Sequence, residues 1–259
     1  MPQRLKGDKT MERKKSELFG VLGRILAYVI VISVFESIYA SRGGQAWRII
    51  PSAVILGLLL AGMAKGRDFE RLGFAVHTPM PWRKALFLLP MIVVSTANLW
   101  HGAVLRYAPL DTVWYIIAML CIGFIEEILF RGYLLQLLLK RSTRLAILIS
   151  SLTFALGHIV NLANGAELVP TLLQLVYALA IGLMLSVFVV KTGHLLPCCL
   201  FHGVFNALAA FSKEAGQTVG YQIAVCAVIS LLSVGYAVYL WRRKLPELTA
   251  EMATKESLI

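Results

Sequence analysis

Three charged side chains stand within six residues of an otherwise apolar stretch: Glu126, Glu127 and Arg131 in Gly123-Phe124-Ile125-Glu126-Glu127-Ile128-Leu129-Phe130-Arg131-Gly132. Two carboxylates beside a cation can serve general acid–base chemistry. Helix geometry gives them different parts. Residues four apart share a face, so Glu127 and Arg131, in that order, form the favourable ion pair. Glu126 is turned about 100° from Glu127 around the axis, as 3.6 residues per turn require. It does not share the arginine and is left to act as a base. Two histidines are placed in similar surroundings. His158 closes the run Phe154-Ala155-Leu156-Gly157-His158, and His202 stands four residues before Asn206, on the same helix face. A lone histidine in an apolar helix commonly does no more than join helices, and a lone Glu–Arg pair is commonly structural. The set is what points to a site: two carboxylates, an arginine, two histidines and an asparagine on three segments.

The elements that must position these residues are membrane helices. Of 259 residues, 58% are hydrophobic, the mean hydropathy is +0.75, and soluble domains hold about 45–50% apolar residues. The excess falls in runs of about 17–25 residues, the length that crosses about 30 Å of hydrocarbon. The runs are Leu18–Ala40, Trp47–Ala64, Lys84–Leu105, Thr112–Leu139, Leu145–Gly157, Thr171–Val190, Leu195–Phe211 and Val219–Trp241. The expectation is an all-α, polytopic bundle of about eight transmembrane helices in the plasma or inner membrane. Residues 1–17 form a basic cytoplasmic arm, 18–241 the membrane domain and 242–259 a cytoplasmic tail. A cleavable signal peptide is the rival for the first run, since Ser37-Ile38-Tyr39-Ala40 loosely resembles a cleavage site. The long charged arm and Glu36 argue against it.

Charge supports this organisation. The net charge is +11, but the basic residues sit between apolar runs and form no stripe on a polar helix, which argues against nucleic acid as a partner. With the N-terminus inside, the inner segments hold 20 lysines and arginines and the outer ones only Arg42, Arg48, Arg106 and Lys213. That bias follows the positive-inside rule and places both termini in the cytoplasm. Charge inside a span costs about 2.5–3.5 kcal/mol on insertion scales, so Glu126, Glu127 and Arg131 demand a purpose. Glu36 is expected to snorkel to the outer interface. Cys121, Cys198, Cys199 and Cys226 lie in apolar runs with neither zinc nor disulfide spacing and read as small buried side chains. His77, His101 and His194 lie near span ends and receive no role. Counted from the cytoplasmic ends, Glu126 and His158 are each about 20 Å deep at 1.5 Å per residue. His202 is shallower, so convergence requires tilted helices.

The polar residues resemble, in order, the three motifs of the CPBP family, which contains the type II CAAX prenyl endopeptidases and bacteriocin-processing or immunity (Abi-like) proteins. E-E-x-x-x-R resembles Glu126, Glu127 and Arg131; F-x-x-x-H resembles Phe154 and His158; H-x-x-x-N/D resembles His202 and Asn206. The similarity extends to Arg131-Gly132-Tyr133-Leu134, the Gly182 span and Lys191-Thr192-Gly193, and covers about residues 110–211; before it, only Arg71-Leu72-Gly73-Phe74 is similar. The resemblance implies an eight-helix intramembrane endopeptidase. By position, Glu126 and His158 would activate a water, while His202 and Asn206 would stabilise the oxyanion. A carboxylate base and donors aimed at developing charge are compatible with that chemistry. The resemblance favours a glutamate mechanism without cofactor. The alternative is zinc held by Glu126, His158 and His202 with an open position for water, although both histidines do not lie on one helix as in H-E-x-x-H.

The substrates implied are membrane-embedded or lipid-associated peptides and proteins: a leader peptide, a pheromone precursor or a sorted membrane protein. Two other classes compete. A non-catalytic scaffold or bacteriocin-immunity protein would bind a partner at the bilayer without needing this residue set. A proton-coupled transporter would be expected to show internal repeats and broken helices, and no repeat stands out.

Overall fold

Proline and glycine set where the apolar runs become helices. The computed structural model describes residues 2–74 and 87–243, without the side chains of residues 2–15 and 46. The first helix, α1, runs unbroken from Pro2 to Arg42, so the basic arm continues the first span as one helix. It is followed by α2 (Ala46–Gly66) and, beyond residues 75–86, by the short α3 (Leu89–Ser95). The helix α4 (Pro109–Glu127) begins with a proline in its first turn, where a missing N–H costs nothing. A π-helical segment, Ile128–Leu135, and α5 (Gln136–Leu139) complete that span. The remainder is α6 (Thr143–Gly157), α7 (Val160–Ala163), α8 (Leu168–Thr192), α9 (Leu196–Ala207) and α10 (Val219–Arg242). Gly193, at φ +73° in the left-handed region, ends α8.

Six helices in the described residues are long and apolar enough to cross a membrane: Ser16–Arg42, Trp47–Gly66, Pro109–Leu139, Thr143–Ala163, Leu168–Thr192 and Val219–Arg242. The apolar segment Leu196–Phe211 is shorter. The third expected span is corrected over its described part. Instead of a continuous helix to Leu105, α3 gives way to a 3-10 turn at Ala97–Leu99. Residues 102–106 then pair with residues 210–213: Val104 N–H donates to Phe211 C=O at 2.9 Å and Arg106 N–H to Ala210 C=O at 3.1 Å. The hydroxyls of Ser95 and Thr96 donate back to the carbonyls of Ile92 and Val93, and Gly102 at φ +115° turns the chain away. The start of that span at Lys84, His77 and the tail beyond Arg243 lie outside the described residues.

The helix α8 is the axis of the bundle, packed along α10 and α6, while α4 packs on α9 and α2 and α1 lies outermost on α2 and the π segment. Met184, Leu185, Phe188, Leu195, Cys198 and Cys199 are fully buried between them. Leu26, Ile30, Leu58, Leu148, Val176 and Leu231 face outwards, as helices hydrophobic on all sides do in lipid. All four cysteines are free thiols. Segments assigned inside by charge share one end of the bundle. Lys140 pairs with Glu17 at 3.3 Å, Leu195 N–H donates to Gly73 C=O, and Lys191 donates to Arg243 C=O. At the other end Arg106 pairs with Glu214.

Candidate active site

The site forms where α4 and α9 approach backbone to backbone. A Cβ at Gly123 would lie 2.6 Å from Gly203 Cα, so only glycine admits this contact. Gly123 is one turn before Glu126 and Gly203 is next to His202. The close approach therefore carries the histidine to the carboxylates, although it is shallower along the sequence. His202 Nδ1 lies 2.9 Å from Glu127 Oε1, and its Nε2 stands 3.3 Å from Glu126 Oε2.

Glu127 and Arg131 are fully buried and paired at 2.7 Å, as their spacing predicts. The pair bridges the junction between α4 and the π segment. A π turn frees backbone carbonyls from the i→i+4 ladder, and Phe130 C=O here accepts from the buried Ser150 hydroxyl on α6 at 2.9 Å. Phe154 is the spacer of the site. The Arg131 guanidinium lies 4.2 Å from its ring centre, a cation–π placement. The rings of His158 and His202 stand nearly perpendicular to it, with centroids at 5.1 and 5.5 Å.

Glu126 has different company. Its Oε1 accepts from the Tyr28 hydroxyl of α1 at 2.7 Å, and its buried Oε2 makes no hydrogen bond, its neighbour being His202 Nε2 at 3.3 Å. Glu126 and His158 line one cavity of about 90 Å³ with Tyr28, Glu36 and Asn161. His158, His202 and Asn206 line an adjoining one of about 20 Å³ with Gln174. His158 thus belongs to both. Asn161 Nδ2 donates to Gln174 Oε1 at 2.8 Å, which turns the Gln174 amide nitrogen to His158 Nδ1 at 3.4 Å. An Nδ1 that accepts leaves the His158 proton on Nε2. Among the described residues no three His, Cys, Asp or Glu side chains converge as a metal-ligand set.

Sequence reasoning missed Tyr28 and Gln174. Tyr28 is 98 residues from its partner and carries no spacing signal. Gln174 was visible as an amide inside an apolar run. Glu36 holds Arg48, a residue assigned to the outer side by charge, through two contacts of 2.8 Å and borders the Glu126 cavity. That ion pair lowers the cost of a carboxylate at this depth.

Residues 108–208 match the family model described as type II CAAX prenyl endopeptidase Rce1-like. No curated protein matches the chain. The matched stretch begins at the start of α4, ends just after α9, and contains Glu126, Glu127, Arg131, His158, His202 and Asn206. The chain is therefore a multi-pass membrane protein whose residues 108–208 are similar to the Rce1-like, CAAX-type protease family.

Proposed function

We propose that the protein is an intramembrane endopeptidase that hydrolyses peptide bonds in membrane-associated or leader-bearing proteins, using a water activated by Glu126. The observation that carries this reading is the asymmetry of the Glu126 carboxylate. One oxygen is held by Tyr28, and the other is buried without a hydrogen bond, 3.3 Å from His202 Nε2, at a cavity shared with His158. A buried polar atom left without a partner costs about 1–3 kcal/mol, which a water donating to it recovers.

The chemistry follows from the donors and acceptors. The water donates to Glu126 Oε2 and accepts from His158 Nε2–H, which turns a lone pair towards the scissile carbonyl. Attack transfers the water proton to Glu126 and forms the C–O bond. The oxyanion accepts hydrogen bonds from His202 and Asn206, the donors available on the other side of His158. His202 keeps Nδ1–H on Glu127, so it can donate at Nε2 only when doubly protonated. Collapse of the intermediate breaks the C–N bond, and Glu126 returns its proton to the leaving amine. The products are a carboxylic acid and an amine.

The test is cleavage of a quenched, lipidated reporter peptide by the purified protein, comparing wild type with Glu126→Gln, a change that keeps the size and removes the base. Loss of cleavage with a retained helical fold is expected. A Glu126→Gln protein that cleaves at the wild-type rate would sink the mechanism. A wild type that cleaves nothing but still binds a membrane partner would favour the scaffold. Native substrates are leader peptides, pheromone precursors or sorted membrane proteins, so cells with and without the protein should differ in a cleaved peptide.

A further inference from the structure

A third cavity, of about 500 Å³, opens between α1, α2 and the π segment at the end of the bundle that the charge count assigns to the cytoplasm. Its cations are Arg24, Arg71 and Lys140, and its carboxylates are Glu17 and Asp68. Asp68 holds Arg71 at 2.9 Å and Glu17 holds Lys140 at 3.3 Å. Arg24 has no carboxylate partner among the described residues; its guanidinium lies 4.9 Å from the Tyr133 ring centre. Among the described residues the cavity therefore carries one surplus positive charge, about 12 Å along α1 from the start of the first span at 1.5 Å per residue. The opposite wall is aliphatic, and its Leu58 is 69% exposed, continuous with the outward-facing surface of α2. A Cβ at Gly20 or Gly62 would meet nothing within 4 Å, so the small residues leave open room there.

A guanidinium beside an apolar wall that opens sideways is complementary to one kind of molecule: an anionic phosphate attached to hydrocarbon. Basic pockets between transmembrane helices on the cytoplasmic side recognise acidic lipid headgroups in this way. We infer that this cavity binds an anionic phospholipid, its phosphate on Arg24 with Arg71 and Lys140 at the rim, and an acyl chain along Leu58 and Leu59. The site is separate from the catalytic cavity, and the inference does not rest on the proposed peptidase activity.

The test uses the full chain purified in a non-ionic detergent and titrated with phosphatidylglycerol or phosphatidylcholine, with bound lipid read by native mass spectrometry. Phosphatidylglycerol should bind in preference to phosphatidylcholine, and Arg24→Gln should weaken it about fivefold, the contribution of one basic residue near a membrane surface. Arg141→Gln, a cation outside the cavity, should leave binding unchanged. Gly62→Leu fills the open room without touching a charge and should also weaken binding. Because Arg24→Gln can fail to fold, photo-crosslinking of an acyl-diazirine phosphatidylglycerol to the wild type gives a second measure, with labels expected on peptides containing Gly20–Arg24 or Leu58–Gly62. Equal binding of the two lipids, equal weakening by Arg24→Gln and Arg141→Gln, or labels confined to other helices would overturn the inference. Displacement of the lipid by millimolar inorganic phosphate would also overturn it, assigning the site to soluble phosphate instead.

Discussion

Replacing Arg131 by leucine tests how the site is held together. The guanidinium and the Glu127 carboxylate are both fully buried and 2.7 Å apart. Removing one partner of a buried pair costs about 3–5 kcal/mol, because the other charge is left uncompensated. The loss includes the cation–π contact to Phe154, worth up to ~2 kcal/mol when desolvated. Arg131→Leu should therefore lower the folded-to-unfolded ratio by at least ~10² at 1.4 kcal/mol per factor of ten. The double variant Glu127→Leu/Arg131→Leu removes both charges, and apolar replacement of a buried pair is often neutral or better. It leaves His202 Nδ1–H without its acceptor, a penalty of about 1–3 kcal/mol. The double variant should thus recover about 2 kcal/mol over the single one, the difference between the midpoints of the two ranges, while remaining inactive, since His202 is no longer oriented. Reversible unfolding in mixed micelles, followed by helical circular dichroism, measures both numbers. A single variant destabilised by less than ~1 kcal/mol, or a double variant no more stable than the single, would refute the reasoning.

Gly123→Ala puts a methyl group 2.6 Å from Gly203 Cα; separating α4 from α9 should cost about 1–3 kcal/mol and abolish cleavage, as thermal unfolding and the reporter assay would show. Tyr28→Phe removes a hydrogen bond to a carboxylate worth about 1.5–3 kcal/mol; kcat should fall roughly tenfold or more with KM unchanged, the pattern of a lost transition-state contribution, whereas a rise in KM alone would argue against a positioning role. Gln174→Leu frees His158 to take either tautomer and should lower kcat without unfolding the protein, measured by the same assay and by circular dichroism. A chelator should leave cleavage unchanged under the glutamate mechanism, and loss of activity restored by zinc would reassign Glu126, His158 and His202 as metal ligands.

The sequence made local relations legible and left distant ones hidden. Glu127 and Arg131 pair as four-residue spacing requires, because one turn of helix fixes both ends. The three motifs all lie within the matched residues 108–208. The meeting of His202 with Glu126 was not legible. Counting depth along straight helices puts them at different levels, and the correction comes from a glycine–glycine approach between helices some eighty residues apart. The break after Ser95 was hidden for a similar reason. Its apolar residues suit a helix, but residues 102–106 find their hydrogen bonds in 210–213. Tyr28 is the clearest case, an aromatic in an apolar helix whose partner is fixed only by the packing of α1 on the bundle.

The π segment divides one membrane helix into two phases. Before it, α4 presents Glu126 and Glu127 to α9 and α1; within and after it, Tyr133, Leu137 and Lys140 wall the larger cavity towards α1 and α2. One residue more per turn shifts the angular register of everything that follows, by about 100° for each extra residue. The two cavities therefore share a rod without sharing its phase. Losing one residue from the segment would rotate the half that leads to Lys140 while leaving the carboxylates in place.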